Sequence, residues 1–253
     1  MLNKKISIIA SFRNEEKNLA LFAKRIQESF AKYKDLDYEI VFINDDSTDK
    51  SKEIILSLRK DNIKFKLANI KPWAGPTPST LLGIDLTDKG NYLTVIDCDL
   101  QDPPELIAEN LNAIGNHDVV HFIRKKRDDG FFQRIYTYFA YLILGLISFG
   151  KIERNSAYFK IVSPELVEKL KKNTLRYPYM NYFFSRYAKN PKRVFYFRKK
   201  RLFGDSKFNI FSLNPWITFY GGVYFFTLNY LIFSTLILIS SFSIFKYLKN
   251  YSD

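Results

Sequence analysis

The chain has few of the residues from which many proteins build disulfides or histidine-bound metal sites. Its 253 residues include one cysteine, Cys98, and two histidines, His117 and His121. A single cysteine excludes an intramolecular disulfide framework and fits a reducing compartment. Two histidines are too few for a histidine-based zinc or iron site. Any bound metal is therefore expected to have oxygen ligands.

Negative charge is scarce relative to positive charge. There are 26 Asp and Glu residues against 39 Lys and Arg, which gives a formal net charge of +13. This excess predicts an anionic partner; nucleic acid, an anionic membrane leaflet and phosphorylated substrates all meet that requirement. With 47% hydrophobic and 26% charged residues, the composition is that of a globular protein and not of a disordered one.

Charge is missing altogether from one long segment near the carboxyl end. No Asp, Glu, Lys or Arg occurs from Trp216 to Phe245, and about 20 apolar residues suffice to cross a bilayer. We therefore predict a C-terminal membrane helix with its span over residues 223–245; the alternative is a buried core helix. More cations precede this segment than follow it, so the positive-inside rule predicts that the preceding part is cytosolic.

Two shorter apolar segments are not expected to span a membrane. Residues 135–149 suit an interfacial or buried helix. The run that begins at Ile6 is only about five residues long and is followed at once by charge, so we expect no signal peptide and no export. The predicted organisation is a cytosolic catalytic domain over residues 1–210 and a membrane-anchoring segment over residues 211–253.

Apolar runs alternate with helical patterns through the first part of the chain. Strands are predicted over residues 5–11, 38–44, 65–70, 92–96 and 119–123, and helices over residues 16–33, around residues 54–58 and over residues 163–172. Strands that are continuously apolar and separated by helices predict an α/β fold with a mostly parallel sheet covered on both faces. Ligands of such sheets bind beyond the carboxyl ends of the strands.

Acidic residues follow two of these predicted strands. Asp45 and Asp46 come after the second strand, and Asp97 and Asp99 come at the end of the fourth. Residues i and i+2 lie on the same side of an extended chain, so Asp97 and Asp99 can reach one hard cation. Mg²⁺ or Mn²⁺ held there would neutralise charge on a leaving nucleotide.

Two helix starts are predicted from capping patterns. Asp102 precedes Pro103 and Pro104, and Ser163 precedes Pro164. A side chain that accepts hydrogen bonds from the first turn, followed by proline in that turn, is typical of a helix start. On this interpretation Asp102 serves the helix and is separate from the acidic pair before it.

Four segments resemble the family 2 glycosyltransferases, which have a GT-A fold. They are IIASFRNEEKNL near the start, VFINDDSTDKS, VIDCDLQDPPELI, and R-x-x-R-x-x-G-x-S-K-F over residues 198–208. The resemblance covers residues 5–208. Within the family, the sequence most resembles the polyprenyl-phosphate glycosyltransferases, such as dolichyl-phosphate mannosyltransferase and bacterial undecaprenyl-phosphate glycosyltransferases. It implies a GT-A nucleotide-diphospho-sugar transferase fold, a mostly parallel sheet flanked by helices.

The resemblance also implies a site for the nucleotide sugar. Glu15 and Asp45 would contact the base or ribose, and Asp97 would lie by the diphosphate. Ser11 and Arg13 stand where the family usually has Pro and Tyr, so base stacking is expected to differ here. Residues 73–76 replace a more polar loop on the donor side, and the donor sugar is therefore not inferred.

Further roles concern the cation and the phosphates. Asp97, Asp99 and Gln101 would surround Mg²⁺ or Mn²⁺, with an electrostatic role for Asp99. Arg201 and Lys207 would contact phosphate oxygens. Three arginines of a basic loop would bind the phosphate of a lipid acceptor: Arg124, Arg127 and Arg134. The family's Asp-Phe-Arg segment is replaced by residues 158–160, Tyr-Phe-Lys, which removes an acid from the acceptor side.

The sequence thus predicts an inverting glycosyltransferase that moves a sugar from a nucleotide sugar to a polyprenyl phosphate. We expect it in a membrane, namely a bacterial inner membrane, with the catalytic domain on the cytosolic side. One alternative uses a glycan or glycolipid hydroxyl as acceptor, with Asp128, Asp129 or Asp205 as base. Another is a non-catalytic membrane protein that keeps the nucleotide-binding fold. Nucleic acid is not an expected partner, since no binding module is present, and a homo-oligomer is left open.

Overall fold

The computed structural model describes residues 4–61, 63–125, 138–139, 141–146, 152–153, 156–172 and 180–199. Some of the predictions lie outside these residues: the roles of Arg127, Arg134, Arg201 and Lys207, and the C-terminal membrane helix. Within the described ranges, no helix is both long enough and apolar enough to cross a membrane.

Seven strands form one sheet. They are β1 (Lys4–Phe12), β2 (Leu36–Asp45), β3 (Phe65–Ile70), β4 (Tyr92–Val95), β5 (Val119–Arg124), β6 (Ser156–Val162) and β7 (Pro191–Tyr196). Their order is β3-β2-β1-β4-β6-β5-β7. Strand β6 runs antiparallel to its neighbours β4 and β5, and the other neighbouring pairs are parallel. The predicted mostly parallel sheet is confirmed.

Helices cover both faces of the sheet. They are α1 (Leu19–Phe30), α2 (Ser51–Ser57), α3 (Pro76–Asp85), α4 (Glu105–Asn112), α5 (Pro164–Lys171) and α6 (Met180–Tyr187), with a short 3-10 helix at Leu58–Asp61. One apolar core packs α1, α2 and α4 against the sheet. A second core lies on the opposite face beneath α3, α5 and α6.

Strand β1 shows why the strands are apolar throughout. Ile8 belongs to the first core and its neighbour Ile9 to the second, because successive side chains of a strand point to opposite faces. Both are fully buried. On the second face, helix α3 packs so closely that a Cβ added at Gly83 would lie 2.5 Å from Cγ2 of Ile9.

A helix follows Pro103 and Pro104 as predicted, but the capping role predicted for Asp102 is wrong. Helix α4 begins at Glu105 with Pro104 at the N-cap position, and no side chain caps it. The Asp102 carboxylate instead accepts hydrogen bonds from residues that are distant in sequence. Ser163 does occupy the N-cap position of α5, although its side chain makes no capping hydrogen bond.

The apolar segment over residues 135–149 is described in part. Residues 138–139 and 141–146 are helical, as predicted. Several large apolar side chains there are exposed to solvent: Tyr138, Phe139, Leu142, Ile143 and Leu146. Contact with a membrane interface stays a prediction for this segment.

Parallel pairing brings six strand ends to one side of the sheet. Strands β1 to β5 and β7 all finish at this side, which we call the carboxyl edge. The loops that follow these strands contain the acidic residues singled out from the sequence. The fold therefore places the candidate site residues together without any further assumption.

Candidate active site

The loops after β1 and β2 are tied to each other at the carboxyl edge. The backbone N–H of Asn14 donates to Ser47 Oγ at 3.0 Å, and the backbone N–H of Thr48 donates to Asn14 Oδ1 at 2.8 Å. Asn14 and Asp46 both have positive φ, at 54° and 58°. Asn and Asp tolerate this left-handed conformation better than most residues. The two loops form one fixed unit.

Asp45 holds the loop before α3. Its carboxylate is buried and accepts hydrogen bonds from the backbone N–H groups of Ala74 and Gly75, both at 2.8 Å. Gly75 has a φ of 89°, a conformation that favours glycine. This anchoring role was not foreseen from the sequence. The predicted contact of Asp45 with a base or ribose stays a prediction.

The remaining predicted nucleotide-site residues line the same edge. Arg13 Nε donates to the backbone oxygen of Asp46 at 3.4 Å, and its guanidinium carbon lies 5.1 Å from the Trp73 ring centroid. Glu15 is half-buried and accepts a hydrogen bond from Asn18 Nδ2 at 2.6 Å. Ser11 is half-buried near the end of β1.

Asp97 and Asp99 converge on one point. Arg198 Nη2 lies 3.8 Å from Asp97 Oδ2 and 3.9 Å from Asp99 Oδ2. The side chain of Asp97 is 63% exposed, whereas that of Asp99 is 10% exposed. Leu100 has a φ of 60°, and the backbone N–H of Gln101 donates to Asp99 Oδ1 at 3.1 Å. The turn thus brings together the residues predicted to surround a cation.

The environment of Asp97 disfavours its negative charge. The pKa of Asp97 is raised to about 6, first by loss of hydration and then by the negative charges of Asp99 and Asp102. The positive charges of Arg198 and Arg124 act in the opposite direction. Because the side chain remains 63% exposed, the repulsion between carboxylates is the firmer cause. A cation at this point would relieve that repulsion.

Beneath the pair, Asp102 is the centre of a buried polar cluster. Only 2% of its side chain is exposed, and it accepts hydrogen bonds from Arg124 Nη2 at 3.0 Å, Tyr196 Oη at 2.5 Å and Arg198 Nε at 3.2 Å. Arg124 Nε also donates to Tyr196 Oη at 3.2 Å. Burial, followed by the charge of Asp102, raises the pKa of the Tyr196 phenol.

Sequence reasoning missed Arg198, Tyr196 and the true role of Asp102. Arg198 is the first arginine of the late R-x-x-R motif, and this position in the motif was the available signal. The role of Arg124 as a phosphate ligand stays a prediction; the structure shows its guanidinium bound to Asp102 and Tyr196. The backbone N–H of Lys199 donates to the backbone oxygen of Gln101 at 2.9 Å, and this hydrogen bond joins the segment after β7 to the acidic loop.

Comparison with known proteins identifies the family of the chain. Residues 7–162 match the family model for glycosyl transferase family 2. The chain belongs to glycosyl transferase family 2. The expected family is thereby confirmed.

Curated relatives of this family 2 glycosyltransferase include proteins whose names refer to bactoprenol or undecaprenyl phosphate. The chain is 34% identical over 212 residues to the prophage bactoprenol glucosyl transferase homolog of Escherichia coli K12. This alignment covers 83% of this chain and 68% of the relative. It is 22% identical to the undecaprenyl-phosphate 4-deoxy-4-formamido-L-arabinose transferase of Yersinia enterocolitica, over 83% of this chain and 64% of that protein.

Solved structures confirm the GT-A-like fold. S. aureus TarS 1-349 in complex with UDP-GlcNAc aligns with a TM-score of 0.57 at 17% identity, over 88% of this chain and 65% of that one. Mannosyl-3-phosphoglycerate synthase from Rubrobacter xylanophilus aligns with a TM-score of 0.55 at 12% identity, over 87% of this chain and 72% of that one.

Asp97 and Asp99 suit a divalent cation in this family 2 glycosyltransferase. Carboxylate oxygens are preferred ligands of Mg²⁺, which is commonly bound by one or two carboxylates together with substrate phosphates. In the part of the chain that the structure describes, no group of three or more His, Cys, Asp or Glu side chains is placed to hold a metal. The donor set fits a cation shared with a diphosphate.

Two basic side chains are buried on the face covered by α5 and α6, those of His121 and Lys160. His121 of β5 lies opposite Lys160 of β6 and Arg193 of β7. Burial, with the charges of Lys160 and Arg193, lowers the pKa of His121 to about 3. Burial lowers the pKa of Lys160 to about 7, and the charge of Glu153 opposes this shift. Neither His121 nor Lys160 was expected to be buried from the sequence.

Proposed function

We propose that this family 2 glycosyltransferase transfers a sugar from a nucleotide sugar to a polyprenyl phosphate, with inversion at the anomeric carbon. The observation that carries the proposal is the convergence of Asp97 and Asp99 on Arg198 at the carboxyl edge. The relative named as a bactoprenol glucosyl transferase homolog, at 34% identity, supports the choice of acceptor. The fold shared with TarS in complex with UDP-GlcNAc supports a nucleotide-sugar donor.

The reaction needs charge stabilisation more than proton transfer. An oxygen of the lipid phosphate attacks the anomeric carbon, and the bond from that carbon to the diphosphate oxygen breaks on the opposite side. The nucleoside diphosphate leaves with the electron pair. Because the attacking phosphate is already an anion at neutral pH, no strong general base is required. A site made of carboxylates and arginines, with Asp99 in an electrostatic role, is adequate for this chemistry.

The residues of the acidic loop and Arg198 would together bind the diphosphate of the donor. Asp97 and Asp99 would hold Mg²⁺ or Mn²⁺, with Gln101 beside them. When bound, the cation would neutralise charge on the diphosphate. Arg198 would contact the same phosphates, and Asp102 keeps its guanidinium oriented through the 3.2 Å hydrogen bond.

Further cations of the chain complete this proposal. Arg201 and Lys207 would contact the departing diphosphate. The lipid phosphate would be bound by Arg124, Arg127 and Arg134. Glu15 and Asp45 would lie beside the nucleoside. The catalytic residues proposed here are Asp99, Arg201 and Lys207.

The reaction is proposed to take place at the cytosolic face of a membrane. The uncharged segment from Trp216 to Phe245 would anchor the chain. The exposed apolar side chains of the helical residues 138–139 and 141–146 would lie against the lipid surface, where the acceptor phosphate is presented. The excess of Lys and Arg would strengthen contact with anionic lipid.

A donor and acceptor screen tests the proposal. The purified full chain is incubated with undecaprenyl phosphate, Mg²⁺ or Mn²⁺, and a panel of nucleotide sugars. At least one donor should give a lipid-linked sugar that mild acid cleaves. Undecaprenol, which has a hydroxyl in place of the phosphate, is the matched control and should give no product.

Other outcomes of the screen contradict the proposal. A product that resists mild acid, or transfer to undecaprenol, would indicate a hydroxyl acceptor. Nucleotide binding without transfer to any acceptor would indicate a non-catalytic protein. Neither transfer nor nucleotide binding would refute the enzyme assignment. Activity undiminished by a chelator would contradict the role of the cation.

A further inference from the structure

Trp73 is a large aromatic side chain that remains exposed at the carboxyl edge. It follows β3 by three residues, and 58% of it is accessible to solvent. Trp73 is one of two tryptophans in the sequence. An indole offers a wide apolar face, and it gains most when a flat partner covers that face.

The chain that directly follows Trp73 is fixed. The carboxylate of Asp45 accepts hydrogen bonds from the backbone N–H groups of the next two residues, Ala74 and Gly75, at 2.8 Å each. On the ring itself, the guanidinium carbon of Arg13 lies 5.1 Å from the centroid. An aromatic ring held in advance loses little conformational freedom when a ligand packs on it.

Arg13 links this ring to the loop after β2. Its Nε donates to the backbone oxygen of Asp46 at 3.4 Å while its guanidinium contacts Trp73. Arg13 occupies part of the indole surface, and the 58% exposure of Trp73 leaves other parts accessible. The loops after β1, β2 and β3 are thus connected around the Trp73 ring through Arg13.

We propose that the Trp73 indole, supported by Arg13, stacks on the base of the nucleotide donor. This inference rests on the proposed function, because it assigns a recognition role to residues of the same site. Trp73 follows β3 and Asp97 follows β4, which are three strand spacings apart, roughly 14 Å. A nucleoside diphosphate is long enough to place its phosphates at Asp97 and its base at Trp73.

Stacking of this kind contributes affinity for the base and none for the phosphates. Every nucleobase has an aromatic face, so an indole platform tolerates different bases. Arg13 also interacts favourably with the aromatic system through its planar cation. Removal of the ring should therefore weaken binding of a whole nucleoside diphosphate and leave binding of pyrophosphate unchanged.

Binding of nucleoside diphosphates to the full chain tests the inference. UDP, GDP, ADP, CDP and inorganic pyrophosphate are titrated in the presence of Mg²⁺ into the wild type and into Trp73→Phe, Trp73→Ala and Phe195→Ala. Phe195 is the matched control, since it is an aromatic residue of β7 that is 56% exposed. For the nucleoside diphosphate that the wild type binds most tightly, Trp73→Ala should raise Kd about tenfold or more.

The other arms should show smaller effects or none. Trp73→Phe keeps an aromatic face and should raise that Kd no more than about threefold. Phe195→Ala should match the wild type. Pyrophosphate should bind all four proteins equally. In transfer assays, Trp73→Ala should raise KM for the donor with little change in kcat, because stacking acts in the ground state and transition state alike.

Fluorescence gives an independent readout. In Trp216→Phe, Trp73 is the only remaining tryptophan of the sequence. Stacking of a base on its indole should quench the emission of this variant as nucleoside diphosphate is added. Pyrophosphate should leave the emission unchanged.

Several results would overturn the inference. A Trp73→Ala variant that binds every nucleoside diphosphate as tightly as the wild type excludes stacking, and so does a variant that loses pyrophosphate binding to the same extent. If the wild type transfers sugar and Trp73→Ala gives either of these results, the stacking inference is overturned and the proposed function stands. Failure of the wild type to bind any nucleoside diphosphate would overturn the proposed function as well.

Discussion

Arg198 lies between carboxylates that have different surroundings. It donates to the buried Asp102 at 3.2 Å and lies within 4 Å of the acidic pair Asp97 and Asp99. The hydrogen bond to Asp102 fixes the guanidinium, while the contacts to the pair are long and leave room for rearrangement. Arg198 is therefore placed to meet a negatively charged substrate at the acidic pair.

Replacing Arg198 should impair sugar transfer without unfolding the protein. We expect Arg198→Gln to lower kcat about 100-fold or more, the scale seen when a group that stabilises developing charge is removed. Its matched control is Lys192→Gln, on the first part of β7, which should retain normal transfer. Initial rates and thermal unfolding of both variants are the measurement. A kcat for Arg198→Gln close to that of the wild type would contradict this account.

Asp102 should matter to stability as well as to activity. Removing its carboxylate leaves Arg124, whose side chain is only 17% exposed, without its charge partner, and loss of one member of a buried ion pair costs about 3–5 kcal/mol. Tyr196→Phe removes only a phenol hydroxyl and should cost about 1–2 kcal/mol. Chemical unfolding of Asp102→Ala and Tyr196→Phe compares the two. Equal stability of Asp102→Ala and the wild type would disprove the buried cluster.

At this scale local spacing predicted one placement and missed another. Asp97 and Asp99 were predicted to lie on the same side of the chain because they are two residues apart, and both lie within 4 Å of Arg198; their role as metal ligands stays a prediction. Asp102 was misassigned because its partners Arg124 and Tyr196 are 22 and 94 residues away. Local patterns cannot show a pairing over such distances.

Among the elements, β6 has an unusual position, because it is an antiparallel strand between parallel ones. It places Lys160, which is 2% exposed, opposite His121 in the interior. The predicted strands were identified by continuous apolar runs, as in β1 and β2. Strands β6 and β7 were not predicted from the sequence; β6 contains this lysine, and β7 lies in a strongly basic stretch with Lys192 and Arg193.

The burial of Lys160 should make stability depend on pH. Burial lowers the pKa of Lys160 from its ordinary value of 10.5 to about 7 in the folded protein, so the unfolded chain binds the proton more tightly between these values. Stability contributed by this group therefore rises as pH increases from about 7 to about 10.5. Replacement by methionine removes this dependence.

Unfolding of Lys160→Met and the wild type at pH 7, 8 and 9 tests this expectation. The stability of the wild type relative to the variant should increase with pH, with a slope approaching about 1.4 kcal/mol per pH unit. Lys192→Met, at a half-buried position of β7, should keep the slope of the wild type. Parallel pH profiles for Lys160→Met and the wild type would show that Lys160 does not titrate in this range.

For the whole molecule, topology connects the fold to the proposed chemistry. The order β3-β2-β1-β4-β6-β5-β7 places the loops after β1, β2 and β3 on one side of the acidic pair. The end of β7 lies on the other side. In the proposed function the nucleoside occupies the first side and the lipid phosphate approaches from the second. The carboxyl edge was predictable from alternating strands and helices, whereas the approach of β7 was not.

The central claim is that the acidic pair at the carboxyl edge drives transfer to a polyprenyl phosphate. The most direct test compares rates of sugar transfer to undecaprenyl phosphate by the wild type, Asp99→Asn and Asp88→Asn. Asp88 is a matched control, with a side chain that is 51% exposed and is paired with Lys5 and Lys66.

We predict that Asp88→Asn transfers at the rate of the wild type. Asp99→Asn should lose about 100-fold or more while its thermal unfolding is unchanged. Transfer by Asp99→Asn at a rate near that of the wild type would contradict the account.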